Sequence, residues 1–267
     1  MKLLNSFFKK KEVVNRWGVA FPLSQIYDNH HRINNILANL YVDIEDLDDD
    51  AFNEIYKRFS KKYSLFIKLP KWVNAYNTDN ALFIETMQKV KGLVGNYPEI
   101  KGVVLELRMY YGNESECLYS LKNVLVKRLA TTLVREGKSL FLVNGEVPNG
   151  ASNAFSLSNM ISIKKDIPDV KLGLNLQNAY WTGNRVLDVF IKENTLAGFP
   201  VNFDMVILGG VNDKLGNVAF ASEEDKYTIE QYTSVLKQFK KALFIYDCAI
   251  EEVLTVHDII KKVDGTS

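Results

Sequence analysis

With 267 residues, of which 47% are hydrophobic and 24% charged, the chain has apolar material for one sizeable core and is short for two separate domains. Thirty-three Lys and Arg against 32 Asp and Glu leave a formal charge of +1. That balance excludes a strong overall attraction to polyanions, so any nucleic-acid contact has to come from a local basic patch.

The first residues carry Phe7 and Phe8 ahead of Lys9, Lys10 and Lys11. This apolar stretch is too short for a signal peptide or a membrane span and reads as a solvated N-terminal arm, residues 1–15, leading into a single domain over 16–267. The two cysteines, Cys117 and Cys248, match no zinc or redox spacing and fit a reducing compartment. The expected location is the cytoplasm or the interior of a virion, with no membrane partner.

Short β-rich apolar runs then recur with amphipathic stretches between them, the pattern produced when a helix buries each strand. The runs are Trp17–Phe21, Ile36–Ile44, Leu65–Leu69, Val103–Leu107, Leu140–Val143, Lys171–Leu176, Met205–Leu208 and Leu243–Tyr246. Helical periodicity fills 50–63, 81–94, 114–135, 227–239 and 250–263, and more weakly 24–34 and 156–165. In the first of these, Phe52, Ile55, Tyr56 and Phe59 share one face, while Glu54, Lys57, Arg58 and Lys61 share the other. Eight alternating units predict an α/β fold, a single (β/α)8 TIM barrel, with a doubly wound open sheet as the alternative. Either architecture places function at the carboxyl ends of the strands.

Those ends present Lys68 with Lys71, Trp72 and Asn74; Glu106 with Arg108; Asn144 with Glu146; Gln177 with Tyr180; Asp213 with Lys214; and Asp247. The three histidines, His30, His31 and His257, are not spaced to share a hydrolytic zinc site. Glu106, Glu146 and Asp247 end three different strands and form an alternative oxygen-ligand set for Mg²⁺, although rim acids commonly pair with a neighbouring Arg or Lys. No G-x-S-x-G turn supplies a nucleophile. The glycine-rich stretch from Gly209 to Gly216, with Lys214 in it, reads either as an anion cradle or as a simple turn.

The order of these segments resembles the endonuclease IV family of apurinic/apyrimidinic endonucleases, xylose isomerase-like barrels, over nearly the whole chain. The family's strand-five motif Glu-Asn-Thr-Ala-Gly-x-Gly resembles Asn144-Gly145-Glu146-Val147-Pro148-Asn149-Gly150 followed by Phe155. Its strand-six motif resembles Gly173-Leu174-Asn175-Leu176-Gln177-Asn178-Ala179-Tyr180 with Gly183 beyond. The strand-seven motif resembles Ile207-Leu208-Gly209-Gly210-Val211 with Leu215-Gly216-Asn217, and the third-strand motif resembles Lys68-Leu69-Pro70-Lys71-Trp72-Val73-Asn74.

The family holds three zinc ions with histidines and carboxylates, which activate hydroxide against a phosphodiester. At the matching positions this chain has Lys68, Leu105 or Glu106, Asn144, Gln177, Tyr180, Ile207 and Tyr246 (with Asp247 beside it), and, near the loop ligands, Phe220 and Ser222. Lys, Gln, Ile and Tyr cannot rebuild a trinuclear zinc centre. The resemblance therefore implies a barrel without zinc-dependent catalysis, without cofactor, and without catalytic residues of the family type. It implies binding of DNA, of a phosphate-bearing ligand or of a protein assembly. The candidate contacts are Lys68, Lys71, Trp72, Asn74, Arg108, Asn144, Gln177, Tyr180 and Lys214. Two other readings stand beside it: a Mg²⁺- or Mn²⁺-dependent sugar-phosphate isomerase or hydrolase using Glu106, Glu146 and Asp247, and a scaffold component.

Overall fold

In the computed structural model the described residues are 16–22, 39–43, 53, 57–61, 63–70, 80–107, 126–145, 157–181, 200–220 and 222–264. The apolar runs become strands β1 (Trp17–Pro22), β2 (Asn39–Asp43), β3 (Ser64–Lys68), β4 (Ile100–Leu107), β5 (Ser139–Asn144), β6 (Val170–Asn175) and β7 (Met205–Leu208). A small antiparallel hairpin, β8 (Gly210–Asn212) and β9 (Gly216–Val218), precedes the last barrel strand, β10 (Leu243–Tyr246). The helices are α1 (Asn80–Asn96), α2 (Val126–Arg135), α3 (Leu157–Asp166), α4 (Leu176–Trp181), α5 (Ile229–Leu236) and α6 (Val253–Asp264). Among the described residues no helix is long and apolar enough to cross a membrane.

The strands close in the order β1-β10-β7-β6-β5-β4-β3-β2. β1 pairs in parallel with both β2 and β10, which excludes the open sheet and gives the eight-stranded barrel expected from the alternation. All eight expected strands are present, with ends shifted by a few residues; the fourth starts at Ile100 instead of Val103. The arm, 1–15, the weak helix 24–34 and half of the predicted helix 50–63 lie outside the described residues.

Helix faces follow the sequence periodicity. Val126, Leu129, Ala130 and Leu133 of α2 are buried at three- and four-residue spacing. α5 begins at Ile229, two residues after the expected start. A capping box explains the offset: the Gln231 amide donates to Thr228 Oγ1 (3.4 Å) and the Thr228 amide to Gln231 Oε1 (2.9 Å).

The glycine-rich stretch after β7 forms the hairpin turn and not a cradle. Asn212 Oδ1 accepts the amides of Lys214 (2.9 Å) and Leu215 (3.0 Å). Gly216 takes φ +86°, a conformation that favours glycine. The amides of Lys214 and Leu215 are thus bonded inside the turn, and that of Val211 to Asp225.

Two apolar layers fill the molecule. A large cluster lies between strands and helices, and includes Leu40, Leu65, Leu105, Leu142, Leu174, Leu208 and Tyr246. Inside the barrel, Tyr41, Phe66, Val104, Phe141, Val143, Met205, Ile207 and Ile245 pack across the axis. Glycines adjust the closure. A Cβ on Gly18 would lie 2.4 Å from the backbone oxygen of Asn39 on β2, whereas one on Gly92, on the exposed side of α1, would meet nothing within 4 Å. Gly18→Ala is accordingly expected to destabilise by about 1–3 kcal/mol. Gly92→Ala is expected to stabilise by roughly 0.5–1 kcal/mol. Opposite shifts of the urea midpoint check both signs.

Candidate functional site at the carboxyl end of the barrel

Side chains alternate along a strand, so the residue two positions beyond an inward apolar side chain also faces the axis. Tyr41, Phe66, Val104 and Ile245 belong to the inner layer. The residues two further on are Asp43, Lys68, Glu106 and Asp247. Register supports the same grouping, since Asp43 is paired with Lys68 across β2 and β3.

The Lys68 ammonium lies 2.8 Å from Asp43 Oδ2 and 3.2 Å from Glu106 Oε1. Burial acts to lower the Lys68 pKa, but Glu106 and Asp43 outweigh it and the net shift is upward, so Lys68 stays charged. Burial raises the pKa of the Asp247 carboxyl; Lys68 opposes the rise and Asp43 adds to it. The neighbouring Cys248 is buried, and burial, helped by Asp247 and Glu252, pushes its thiol up to about 12, which keeps it protonated at neutral pH.

The other described candidates are drawn into different work. Asn144 stitches β5 to β6: its Oδ1 accepts the Asn175 amide (2.7 Å) and its Nδ2 donates to the Asn175 carbonyl (2.9 Å). Asn178 closes the same ladder by donating to the Asn144 carbonyl (3.0 Å). Gln177, also buried, donates to the carbonyls of Gly210 (2.9 Å) and Val218 (3.4 Å), which holds the hairpin onto α4.

Tyr180 stands at the rim. Its hydroxyl bonds Asp213 Oδ1 and accepts from Lys226 Nζ (2.7 Å), and Lys226 reaches Asp213 Oδ2 at 3.1 Å. Those contacts, Tyr180 first, raise the Lys226 pKa. Lys214 is exposed at the hairpin tip. Lys71, Trp72, Asn74, Arg108 and Glu146 lie outside the described residues.

At the last strand the inward position belongs to Asp247. Tyr246, the residue matched to the family's final carboxylate ligand, points to the helix side and packs on Phe220 with ring centres 5.2 Å apart. Ile207, matched to a histidine, is part of the apolar filling. His257 is in α6 and rests on Trp17, ring centres 5.0 Å apart. Sequence reasoning missed Asp43 and Lys226. Asp43 ends an apolar run as Glu106 does, and the same rule applied to the second strand finds it.

The described residues at this mouth do not make up a metal-binding group. Among the described residues no group of three or more His, Cys, Asp and Glu side chains could hold a metal ion. A lysine ammonium sits between the carboxylates of Asp43 and Glu106 instead.

The fold defines the class: an eight-stranded parallel β/α (TIM) barrel, the architecture its structural neighbours share. The chain aligns with a D-tagatose 3-epimerase-like protein at TM-score 0.69 and 14% identity, covering 94% of this chain and 97% of the other. It aligns with a xylose isomerase domain protein from Alicyclobacillus acidocaldarius at TM-score 0.63 and 12% identity over 93% and 98% of the two chains. An AP endonuclease, family 2, from Brucella melitensis gives TM-score 0.64 and 13% identity over 91% and 98%. No protein-family model matches the sequence, and no curated protein matches it. At these identities the similarity establishes the architecture and leaves activity to the site.

The carboxylate cluster makes the mouth sensitive to pH once Lys68 is removed. A carboxyl with a raised folded-state pKa contributes stability that is fully present below its unfolded pKa and is lost as pH rises through the folded value. Lys68 opposes that rise at Asp247. Lys68→Met is expected to cost about 3 kcal/mol at neutral pH, the low end for breaking a buried pair, because the Asp43 side chain is 39% exposed. The deficit should shrink as pH falls towards the ordinary carboxyl range. Urea denaturation across pH checks it; a deficit that does not change with pH would reduce Lys68 to a packing element.

Proposed function

We propose that this protein is a binding barrel of the endonuclease IV type in which the Lys68 ammonium provides the neutralisation that a divalent cation provides in metal-dependent barrels. It would then hold its ligand without cleaving it. The observation that carries this reading is the position of Lys68 Nζ, 2.8 Å from Asp43 and 3.2 Å from Glu106. An ammonium keeps acidic side chains together, but it is no Lewis acid for a phosphoryl oxygen and does not generate hydroxide from a bound water at neutral pH.

On this reading the ligand bears phosphate, with DNA first to be tested because one structural neighbour carries the name AP endonuclease. Lys68 is committed to two carboxylates, so phosphate contacts fall to Lys71, Arg108 and Lys214, with Asn74 as a polar contact and Trp72 as a stacking surface, while the buried Tyr180 acts through its hydroxyl at the rim. Abasic-site duplex DNA, with and without zinc, provides the test. The expected result is salt-sensitive retention without zinc-dependent incision, with each removed phosphate contact lowering the slope of log K against log salt by about 0.9. Stoichiometric zinc with robust incision would overturn the proposal.

A second reading draws on the epimerase-like neighbour and on the carboxylates of Glu106 and Asp247 at one mouth, to which Glu146, outside the described residues, would add a third. It makes the protein a Mg²⁺- or Mn²⁺-dependent sugar-phosphate isomerase or hydrolase using Glu106 and Asp247 with Glu146. Stoichiometric Mn²⁺ in purified protein, lost in Glu106→Ala, would favour it over the binding barrel.

A further inference from the structure

We infer that the amino-terminal mouth of the barrel, the end opposite the candidate site, binds a small organic phosphate. This inference does not rest on the function proposed above, and it draws on none of the same residues. The alternation that delivers Asp43 and Lys68 to one end works in reverse at the other. Two positions before the axis-facing residues Gly18, Phe141 and Gly173 stand Arg16, Ser139 and Lys171. Lys101 and Lys241 join them from the start of β4 and from just ahead of β10. Arg16, Lys101, Lys171 and Lys241 line one cavity of about 310 Å³ that is floored by Phe66 and Phe141.

Charge gives the site its sign. Four cations line the cavity against one carboxylate, Asp204. That carboxylate is already engaged, accepting from Lys164 Nζ (2.6 Å) and from the Leu172 amide (3.1 Å). Arg16 is held in place: its Nη1 donates to the Lys240 carbonyl, and its guanidinium carbon sits 5.5 Å from the Phe244 ring centre. Several cations converging in one concavity match a phosphate dianion better than a single carboxylate.

The floor determines the rest of the ligand. The Phe66 and Phe141 rings meet edge to face, centres 5.7 Å apart, and Lys171 Nζ lies 5.4 Å from the Phe141 ring centre. Gly102 leaves the rings their space, because a Cβ there would come within 2.8 Å of Phe141 and 3.2 Å of Phe66. An apolar aromatic floor under cationic walls accepts a planar or apolar body that carries phosphate. A volume of 310 Å³ lies at the lower end of the range for small-molecule pockets, roughly 300–1,000 Å³. The volume suits one phosphate on a small body, and competition by a DNA oligonucleotide separates that occupant from a nucleic acid.

Calorimetric titration of the full chain with adenosine monophosphate, inorganic phosphate and adenosine tests the inference. Adenosine monophosphate should bind more tightly than either of its parts and more weakly as salt rises. Lys101→Glu combined with Lys171→Glu should weaken it by about tenfold or more, the scale of one charge-assisted bond. Lys127→Glu, exposed on α2, should leave it unchanged, and circular dichroism of each variant reports the fold. No heat with adenosine monophosphate, undiminished affinity in the folded double variant, or equal competition by a DNA oligonucleotide would each overturn the inference.

Discussion

In a closed barrel of eight parallel strands, every second side chain points to the axis, and there is no edge at which a strand can turn its other face inward. That geometric constraint decides what this protein presents at both ends. Once Tyr41, Phe66, Val104 and Ile245 fill the middle layer, the next inward positions must be Asp43, Lys68, Glu106 and Asp247, and no rotation of side chains can substitute their neighbours. A single-residue slip would exchange Asp247 for the hydroxyl of Tyr246 and bring Cys248 inward in place of the acid. The chemistry of the mouth is therefore a property of strand register before it is a property of any one residue.

The same constraint explains which parts of the structure were legible in the sequence. Strand number and the alternation with helices follow from apolar runs separated by amphipathic stretches, which are strong periodic signals, whereas closure against an open sheet is decided by the pairing of β1 with β10. The ends of elements were read less well, because caps decide them. The Thr228–Gln231 pair delays α5, and the turn built by Asn212 converts a glycine-rich loop into a hairpin. At the site, Lys68 and Glu106 were visible as polar residues closing apolar runs. Asn144 and Gln177 carried the same signature, but their amides tie strand ends and a hairpin together. An isolated sequence does not distinguish a polar side chain that bonds backbone from one that faces a ligand, because the distinction depends on partners about 30 residues or more away along the chain. The positive group at the opposite mouth went unread for a different reason: its members precede strands, where barrel function is not ordinarily sought.

Lys68 also shows how an ammonium can hold carboxylates together where a bound cation would otherwise be needed. Carboxylates brought together at low exposure repel one another and need a positive charge between them. A bound ion meets that need only while it is present and competes with solvent for its ligands. A covalently attached ammonium meets it permanently and fixes three strand ends, β2, β3 and β4, around one atom. The exchange favours rigidity over reactivity, since an ammonium offers hydrogen-bond donors and charge but no vacant orbital.

The apolar plug across the middle of the barrel has an electrical consequence. It separates an end where three acids surround one lysine from an end where an arginine and three lysines gather. Local charge of opposite sign therefore stands at the two ends of the plug, although the formal charge of the sequence sums to only +1. The plug keeps these two groups of charge from neutralising each other, so each mouth presents its own local field to what approaches it.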